Sequence, residues 1–385
     1  MPTKDPMTRI GFAYNQKPLP DTNAATPGAG DETTASPADE PPSSARAPRG
    51  ATPSRATAAV LTAPDADDQF AEWDSPETID AVDRALSALG TVIRLEATAD
   101  FPAQLRAARP DIVFNMAEGL AGVNREAHVP AICEFFGVPY SGSDPFTLTL
   151  CLNKARTKQV LAYYGVPTAP FAVIERPDAA QPALDALRYP LFVKPLHEGS
   201  SKGITERNLC RTPADLDEQV RFLLDRYAEP VLVEEFLTGD EFTCAVLGND
   251  DAQVLPLVGM NFGALPVGAL PIYGFEAKWL WDRPERPLRI FECPARIDDD
   301  LREQIERVTL AAYRALGCRD WSRVDVRLDA AGVPNVVEVN PLPGILPDPA
   351  DNSCFPKAAR AAGLSYDELI QTCLILAAER QGIDL

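Results

Sequence analysis

Histidine is scarce in this chain: His128 and His197 are the only two among 385 residues. Chemistry built on a histidine base, or on clustered histidine ligands, has little to work with. The eight cysteines include no CxxC pair and are scattered through apolar segments. They read as buried free thiols, which argues against a disulfide frame or a zinc site. No apolar run reaches membrane-spanning length and no signal-peptide core precedes the first strand, so the expected compartment is the cytoplasm. Cations are also in deficit, with 36 Lys and Arg against 56 Asp and Glu and a formal net charge of −20. That balance makes nucleic acid and anionic membrane unexpected partners. It leaves room for a phosphorylated ligand gripped locally by lysines. The 45% hydrophobic content is enough to fill the cores of about two or three domains.

Thr8–Tyr14 reads as a first strand. From Lys17 to about Ala58 the chain turns to Pro, Ala, Ser, Thr and acid, a composition that buries little apolar surface and predicts a disordered insertion, 17–58. A linker between domains is the alternative, but seven ordered residues before it cannot make a domain. Ser75-Pro76-Glu77 opens a helix whose stripe is Ile79, Val82, Leu86 and Leu89. A strand at Thr91–Leu95, a helix at Phe101–Ala108 and a buried strand at Asp111–Asn115 follow. Alternation of this kind predicts a small parallel α/β domain, with ligands at strand C-terminal ends. Asn115, Glu118 and Gly119 lie just past one such end. Further on, helices are expected near Pro130–Phe136, as one element from about Pro145 to Tyr164, at Asp300–Leu316 and near Ser365–Gln381. Strands are expected at Phe171–Ile174, Pro190–Lys194, Pro230–Glu235 and Glu241–Leu247. Leu255–Ile290 reads as loop, and no internal repeat is present.

The stretch Trp321–Asn340 (WSRVDVRLDAAGVPNVVEVN) reads as a hairpin. A two-residue turn at Ala330-Ala331 would set Leu328 opposite Val333 and Arg323 opposite Glu338. Arg323, Asp325, Glu338 and Asn340 then share one face of an otherwise apolar ribbon. Two carboxylates and a carboxamide oxygen form a hard donor set suited to magnesium. A plain surface Arg323–Glu338 pair is the competing reading, and a single register slip would spoil the alignment. Lys194 ends an apolar strand and is followed by Glu198-Gly199-Ser200-Ser201-Lys202-Gly203. Lysine beside a glycine-rich loop is a phosphate grip in pattern, though not a Walker sequence, and such loops are as often simple hairpins. Lys154 alone reads as an ordinary helix lysine. Val231–Leu237 is an apolar strand whose end could read an adenine edge through its backbone and through Glu234 or Glu235. Gly344, in the turn after Asn340, can bring an N–H close to a reacting carbonyl oxygen.

The order of these motifs is more specific than any one of them. A helix lysine before VPT, then VKPLHEGSSKGI, VEEFLTGDEFT, YGFEAKW, CPA, GCRDWSRVDVRLD, VVEVNPLPG and PKAARAAGLSYDELI together resemble the D-alanine–D-alanine ligase branch of the ATP-grasp superfamily. The resemblance runs from about Asp111 to the C-terminus. It implies an α/β (α+β ATP-grasp) fold in three parts: an N-terminal parallel α/β domain, 1–142, a central lid, 143–233, and a C-terminal part with an antiparallel sheet, 234–385. It implies ATP and two magnesium ions as cofactors, with manganese as a stand-in. Lys154, Lys194 and Lys278 would contact ATP phosphates under a loop from Glu198 to Gly203 that includes Ser201. Glu234, Glu235, Phe236 and Leu237 would hold adenine and Glu241 the ribose. Asp325, Glu338 and Asn340 would be the metal ligands, and Arg323 and the Gly344 N–H would stabilise a tetrahedral intermediate. Ser200 would help position substrate. The substrates would be small amino acids or peptides, and the family implies a homodimer.

Departures fall where amino acids would sit. The family's N-terminal glycine-rich, glutamate-bearing motif reads GFAYNQK, and its HGxxGEDG-like segment reads EGLAGVNRE, which marks Glu118 and Glu126 as substrate candidates. A family tyrosine is Trp279. The segment after Gly344 is longer than usual, although Ser353 matches the serine that anchors the second substrate's carboxylate. The implied activity is ATP-dependent carboxylate–amine ligation through an acyl phosphate, D-Ala–D-Ala ligation first. Other amino acids, a peptide substrate, or a non-catalytic ATP-binding regulatory module are the alternatives.

Overall fold

The computed structural model describes residues 8–18, 70, 72–177, 182–274, 276–282 and 288–385. Apart from Lys17 and Pro18, the expected insertion 17–58 lies outside them. Residues 1–17 and 71–385 form one compact unit.

The chain opens with a parallel three-stranded sheet in the order β2-β1-β3, formed by β1 (Arg9–Tyr14), β2 (Thr91–Glu96) and β3 (Ile112–Asn115). It carries α1 (Pro76–Leu86), α2 (Phe101–Ala108) and α3 (His128–Phe136). Ser75 caps α1 by accepting from the Thr78 N–H at 3.3 Å, and Pro76 fills the first turn where no donor is needed. The buried face of α1 is Ile79, Val82, Ala85 and Leu86, set against Ile10 and Phe12.

One long helix was expected from Pro145 to Tyr164; there are two, α4 (Pro145–Leu152) and α5 (Lys154–Tyr163). Asn153 leaves helical geometry between them and its side chain accepts from the Arg156 N–H at 3.0 Å. Asparagine is a strong cap, and the break makes Lys154 the first residue of a new helix.

An antiparallel sheet of order β4-β7-β5-β6 follows, from β4 (Phe171–Ile174), β5 (Leu191–Pro195), β6 (Leu209–Cys210) and β7 (Val231–Glu235). A short helix, α6 (Pro182–Asp185), follows β4, and α7 (Pro213–Tyr227) covers one face of the sheet. The sequence reading passed over α7, although Thr212 and Asp215 form a capping box before the stripe Leu216, Val220 and Leu223. Alternation leaves Phe192, Lys194, Leu232 and Glu234 on the other face.

The third sheet, order β11-β10-β8-β12-β13 with β9 beside β8, holds β8 (Glu241–Leu247), β9 (Gln253–Val254), β10 (Val258–Met260), β11 (Phe291–Glu292), β12 (Trp321–Leu328) and β13 (Pro334–Asn340). The expected loop 255–290 therefore contributes a strand, and its Glu276–Trp281 forms a wide helical turn. Helix α8 (Asp299–Ala315) packs Ile305, Ala312 and Tyr313 against Phe242, Cys244, Val324, Val326, Val336 and Val339. The opposite face carries Thr243, Arg323 and Asp325, and beyond them Trp321. Trp321 packs against Phe114 at 5.7 Å in a tilted pair and against Phe355 at 5.6 Å edge to face, joining the first sheet to α9 (Cys354–Ala361). Helix α9 was not expected. The last helix, α10 (Tyr366–Gln381), starts on a Ser365–Glu368 capping box and packs against α1. Its Arg380 clamps the fully buried Asp320 through two bonds of 3.0 and 2.9 Å, while Asp320 also accepts from the Gly142 N–H at 2.8 Å.

The β12–β13 register differs from the expected one, and the difference is instructive. Asp329 closes the turn through its N–H to the Val333 carbonyl at 3.0 Å, so Leu328 pairs with Pro334 rather than Val333. That slip of one residue would turn the polar set to the wrong face. A bulge then intervenes: Val326 pairs with Val336 but Asp325 pairs with Glu338, leaving Val337 extra. Slip and bulge add to two residues, so parity is restored. Arg323 sits opposite Asn340, not Glu338, and all four polar side chains still share a face.

Candidate functional site

The polar faces of the second and third sheets border a cavity of about 410 Å³. Its floor is the hairpin. Asp325 accepts from the Thr243 hydroxyl at 2.9 Å, from Arg323 at 3.0 and 3.2 Å and from the Asn340 amide at 3.3 Å. Glu338, directly across the ladder, pairs with Lys154 at 3.0 Å. Burial would raise the Glu338 carboxyl, but Lys154 and Lys194 hold it below the usual carboxylate range. Lys154 also donates to the Glu198 carbonyl at 2.6 Å. A lysine at a helix N-terminus is disfavoured by the helix dipole, and these two acceptors offset that.

Glu234 accepts Lys194 at 2.7 Å and Lys158 at 2.8 Å. Burial alone would raise this carboxyl, yet the two ammonium groups drive it down to about 2. Glu235 is taken up by Arg188 at 3.0 Å. Both carboxylates are thus paired with cations. What the strand end offers is backbone, with the rings of Phe192 and Phe236 at 5.9 Å from each other. Glu241 is held by Arg327 at 2.9 Å, and the Arg327 guanidinium lies 4.6 Å from the Phe236 ring centre. Lys278 lines the same space, and burial with the Arg323 charge brings it down to about 8.

The glycine-rich loop is tied down over one wall. Ser201 donates to the Tyr273 carbonyl at 3.1 Å, and Lys202 pairs with Glu198 and Glu72, each at 3.1 Å. Ser200 and Ser201 adopt φ of +50° and +61°, a left-handed geometry that costs side-chain-bearing residues about 1 kcal/mol each. At Gly199 a Cβ would run into a carboxylate oxygen of Glu72, so a side chain there would push Glu72 aside. Beyond the hairpin, Gly344 lines the cavity, and the Ser353 hydroxyl donates to its carbonyl at 3.2 Å while accepting from the Leu346 N–H. Ser353 therefore staples this turn.

Glu118 and Glu126 line the same cavity with Glu72 and Asp74. Glu72 pairs with Arg125 at 3.1 Å as well as with Lys202. Burial, then Glu126, raises Glu118 well above the carboxylate range; burial raises Glu126 to about 7 and Asp74 to about 7.

One cavity thus gathers the expected phosphate, adenine, ribose, metal and oxyanion residues together with Ser200, Glu118, Glu126 and Ser353; Asn115, Gly119 and Gly203 do not line it, and Trp279 lies in the Glu276–Trp281 turn with its side chain outside the described residues. Sequence reasoning missed Lys158, Thr243, Arg327 and the Glu72–Arg125–Lys202 group. Lys158 could have been found, since it stands four residues after Lys154 on the same helix face. Glu72 could not, because it reaches the site only by the return of the chain beside Gln16, where Asp74 donates its N–H to the Asn15 carbonyl at 2.9 Å.

Residues 160–375 match the family model of the D-ala D-ala ligase C-terminus. The chain belongs to the D-alanine–D-alanine ligase family. A D-alanine–D-alanine ligase of Actinobacillus pleuropneumoniae is 35% identical over 77% of this chain and 91% of that one. The uncharacterized protein y4sG of Sinorhizobium fredii is 39% identical over 70% of this chain and 75% of its own length. A D-alanine–D-alanine ligase of Bacillus anthracis, solved in complex with ATP, superposes with a TM-score of 0.66 at 20% identity, covering 97% of this chain and 99% of that one. This likeness bears on the fold, which is ATP-grasp. Family members are ATP-dependent carboxylate–amine ligases, and this chain is a ligase of that type. No helix of the described residues is long and apolar enough to cross a membrane.

Proposed function

We propose that this protein joins the carboxylate of one amino acid to the amine of a second through an acyl phosphate, with D-alanine as the reference substrate. The observation that carries the reading is the bulged hairpin, which sets Asp325 against Glu338 with Arg323 and Asn340 on the same face of one cavity. A carboxylate oxygen of the donor attacks the γ-phosphorus of ATP, the β–γ bridging P–O bond breaks, and ADP departs. Lys154, Lys194 and Lys278 neutralise the phosphate oxygens during that transfer. The amine nitrogen of the acceptor then attacks the acyl carbon, Arg323 and the Gly344 N–H hold the oxyanion, and the C–O bond to phosphate breaks. Adenine is read by the backbone of Glu235, Phe236 and Leu237, the ribose by Glu241. The loop Glu198–Gly203, with Ser200 and Ser201, shields the acyl phosphate from water.

The donor set fits magnesium. Asp325 and Glu338 face each other across the ladder, Asn340 adds a third oxygen, and the cations now on both carboxylates are of the charge a metal would replace. Among the described residues no group of three or more His, Cys, Asp or Glu is arranged to hold a metal, in keeping with a site completed by nucleotide oxygens. When bound there, magnesium supplies charge neutralisation at the transferring phosphoryl group. From the family resemblance come two ions rather than one, exchange for manganese, a homodimer, the cytoplasm, and the division at 142 and 233.

Phosphate release across pairs of amino acids tests the reading. Release with D-alanine alone supports D-Ala–D-Ala ligation, and release with other acceptors supports a broader ligase. No release with any pair, alongside tight nucleotide binding, supports a regulatory module instead.

A further inference from the structure

Strand β12 turns Arg323, Asp325 and then Arg327 to the cavity, and the ligase reading gives work only to the first two. Arg327 stands in register with Glu241 of β8, and its Nη1 donates to a Glu241 carboxylate oxygen at 2.9 Å. Its Nε donates to the Gly239 carbonyl at 3.2 Å and its Nη2 to the Pro271 carbonyl at 2.9 Å. The guanidinium carbon lies 4.6 Å from the Phe236 ring centre and 5.3 Å from that of Phe262. Only 6% of the arginine side chain and 16% of the glutamate are exposed, so this is not a loose surface pair. An ammonium is a point charge, whereas a planar guanidinium holds all three acceptors in fixed geometry. The place of the pair tells what it faces. Thr243 and Asp325 form the neighbouring cross-strand pair on the same face, about 7 Å away by strand spacing. Glu241 therefore lies between the oxygens assigned to magnesium and the Phe236 ring at the base end of the cavity. In a nucleotide the pentose occupies that interval. A carboxylate accepts hydrogen bonds and donates none, so it recognises hydroxyls there. Burial raises the Glu241 carboxyl, and the Arg327 charge is the strongest influence against that rise.

We propose that Arg327 is a positioning residue for nucleotide selection: its guanidinium fixes Glu241 to accept from the ribose hydroxyls, so that ribonucleotides are taken in preference to deoxyribonucleotides. The proposal rests on the ligase reading for the ribose at Glu241 and adds the residue that makes this contact selective. A deoxynucleotide leaves the fixed carboxylate with an unmet acceptor, which is the source of discrimination. A carboxylate freed from the fork can turn away, and the difference between the two sugars shrinks.

Calorimetry on the full chain with magnesium and ADP, 2′-deoxyADP or 3′-deoxyADP tests this. In the parent, at least one deoxy form is expected to bind roughly tenfold or more weakly than ADP. Arg327→Met is expected to shrink that ratio below about threefold, chiefly by weakening ADP. Arg327→Lys keeps a cation beside Glu241 and guards against a methionine variant that fails to fold; its ratio is expected to fall at least about threefold from the parent's. Glu241→Gln is expected to lose the ratio on its own. Adding Arg327→Met to it is expected to change the ratio by less than about twofold, because the arginine acts through the carboxylate. A parent that binds all three nucleotides alike would overturn the proposal. So would variants that weaken ADP and its deoxy forms equally, which is what a merely structural arginine gives, or a lysine variant with the full parental ratio. Phosphate release separates the two readings. A parental ratio that the variants lose, with no release by any amino-acid pair, sinks the ligase reading and leaves this one standing. Release by the parent at equal KM for ATP and both deoxyATP forms sinks this one alone.

Discussion

Replacing Asp74 by asparagine should stabilise the protein at neutral and alkaline pH, the reverse of what most buried substitutions do. Burial lifts the Asp74 carboxyl from 3.8 to about 7, with Lys17 opposing. Below pH 3.8 the acid is protonated whether folded or unfolded, and it costs nothing. Between 3.8 and about 7 only the unfolded chain ionises it, so the folded state loses about 1.4 kcal/mol per pH unit. Over roughly three units that is about 4 kcal/mol, and water admitted by the cavity brings it nearer to about 2 kcal/mol. Asparagine has the size and polarity of the protonated acid and does not titrate. Urea unfolding followed by tryptophan fluorescence, at steps from pH 4 to 8.5, reads the effect. The variant should match the parent near pH 4 and gain about 2 to 4 kcal/mol by pH 8. A gain that is flat with pH, or a loss throughout, would show that Asp74 has a partner and that this side of the cavity is electrostatically at ease.

Asp325→Asn should leave the unfolding midpoint within a few degrees and lower magnesium-dependent phosphate release by roughly a hundredfold, about 3 kcal/mol of barrier; unchanged kcat would refute a metal role. Lys278, lowered to about 8 by burial, carries its charge below that pH and loses it above. Its grip on phosphate should fail accordingly, so KM for ATP should climb between pH 7 and 9 in the parent and stay level in Lys278→Met. Asp320→Ala removes the buried partner of Arg380 and should cost about 3 kcal/mol in urea unfolding, with a loss under 1 kcal/mol contradicting the clamp.

Much of the fold was legible because local signals and tertiary demands agree. Ser75-Pro76, Asp111–Asn115 and Glu241–Leu247 each carry cap, period or composition that the packing then uses. The parts that were not legible involve choices between near-equal local options. Asn153 divides a helix because its carboxamide competes for the next turn's donors. The hairpin turn is longer than two residues because Asp329 accepts from the Ala331 and Val333 N–H groups at 2.8 and 2.9 Å. Sequence reasoning set the right polar residues on one face for a reason that was half wrong, since the Val337 bulge cancels the slip at the turn. At the site, residues carried by motifs were found. Glu72 and Arg125 were hidden, because they come from separate segments that meet only in the folded chain.

The account depends most on the bulged hairpin aiming its oxygens at a divalent cation shared with the nucleotide. Crystals of the full chain grown with manganese and a nonhydrolysable ATP analogue, measured at the manganese absorption edge, test that directly. The account predicts anomalous density within about 2.0 to 2.3 Å of the Asp325, Glu338 and Asn340 oxygens and of nucleotide phosphate oxygens. Ordered nucleotide with its metal held elsewhere, or with Asp325 still locked to Arg323, would contradict it.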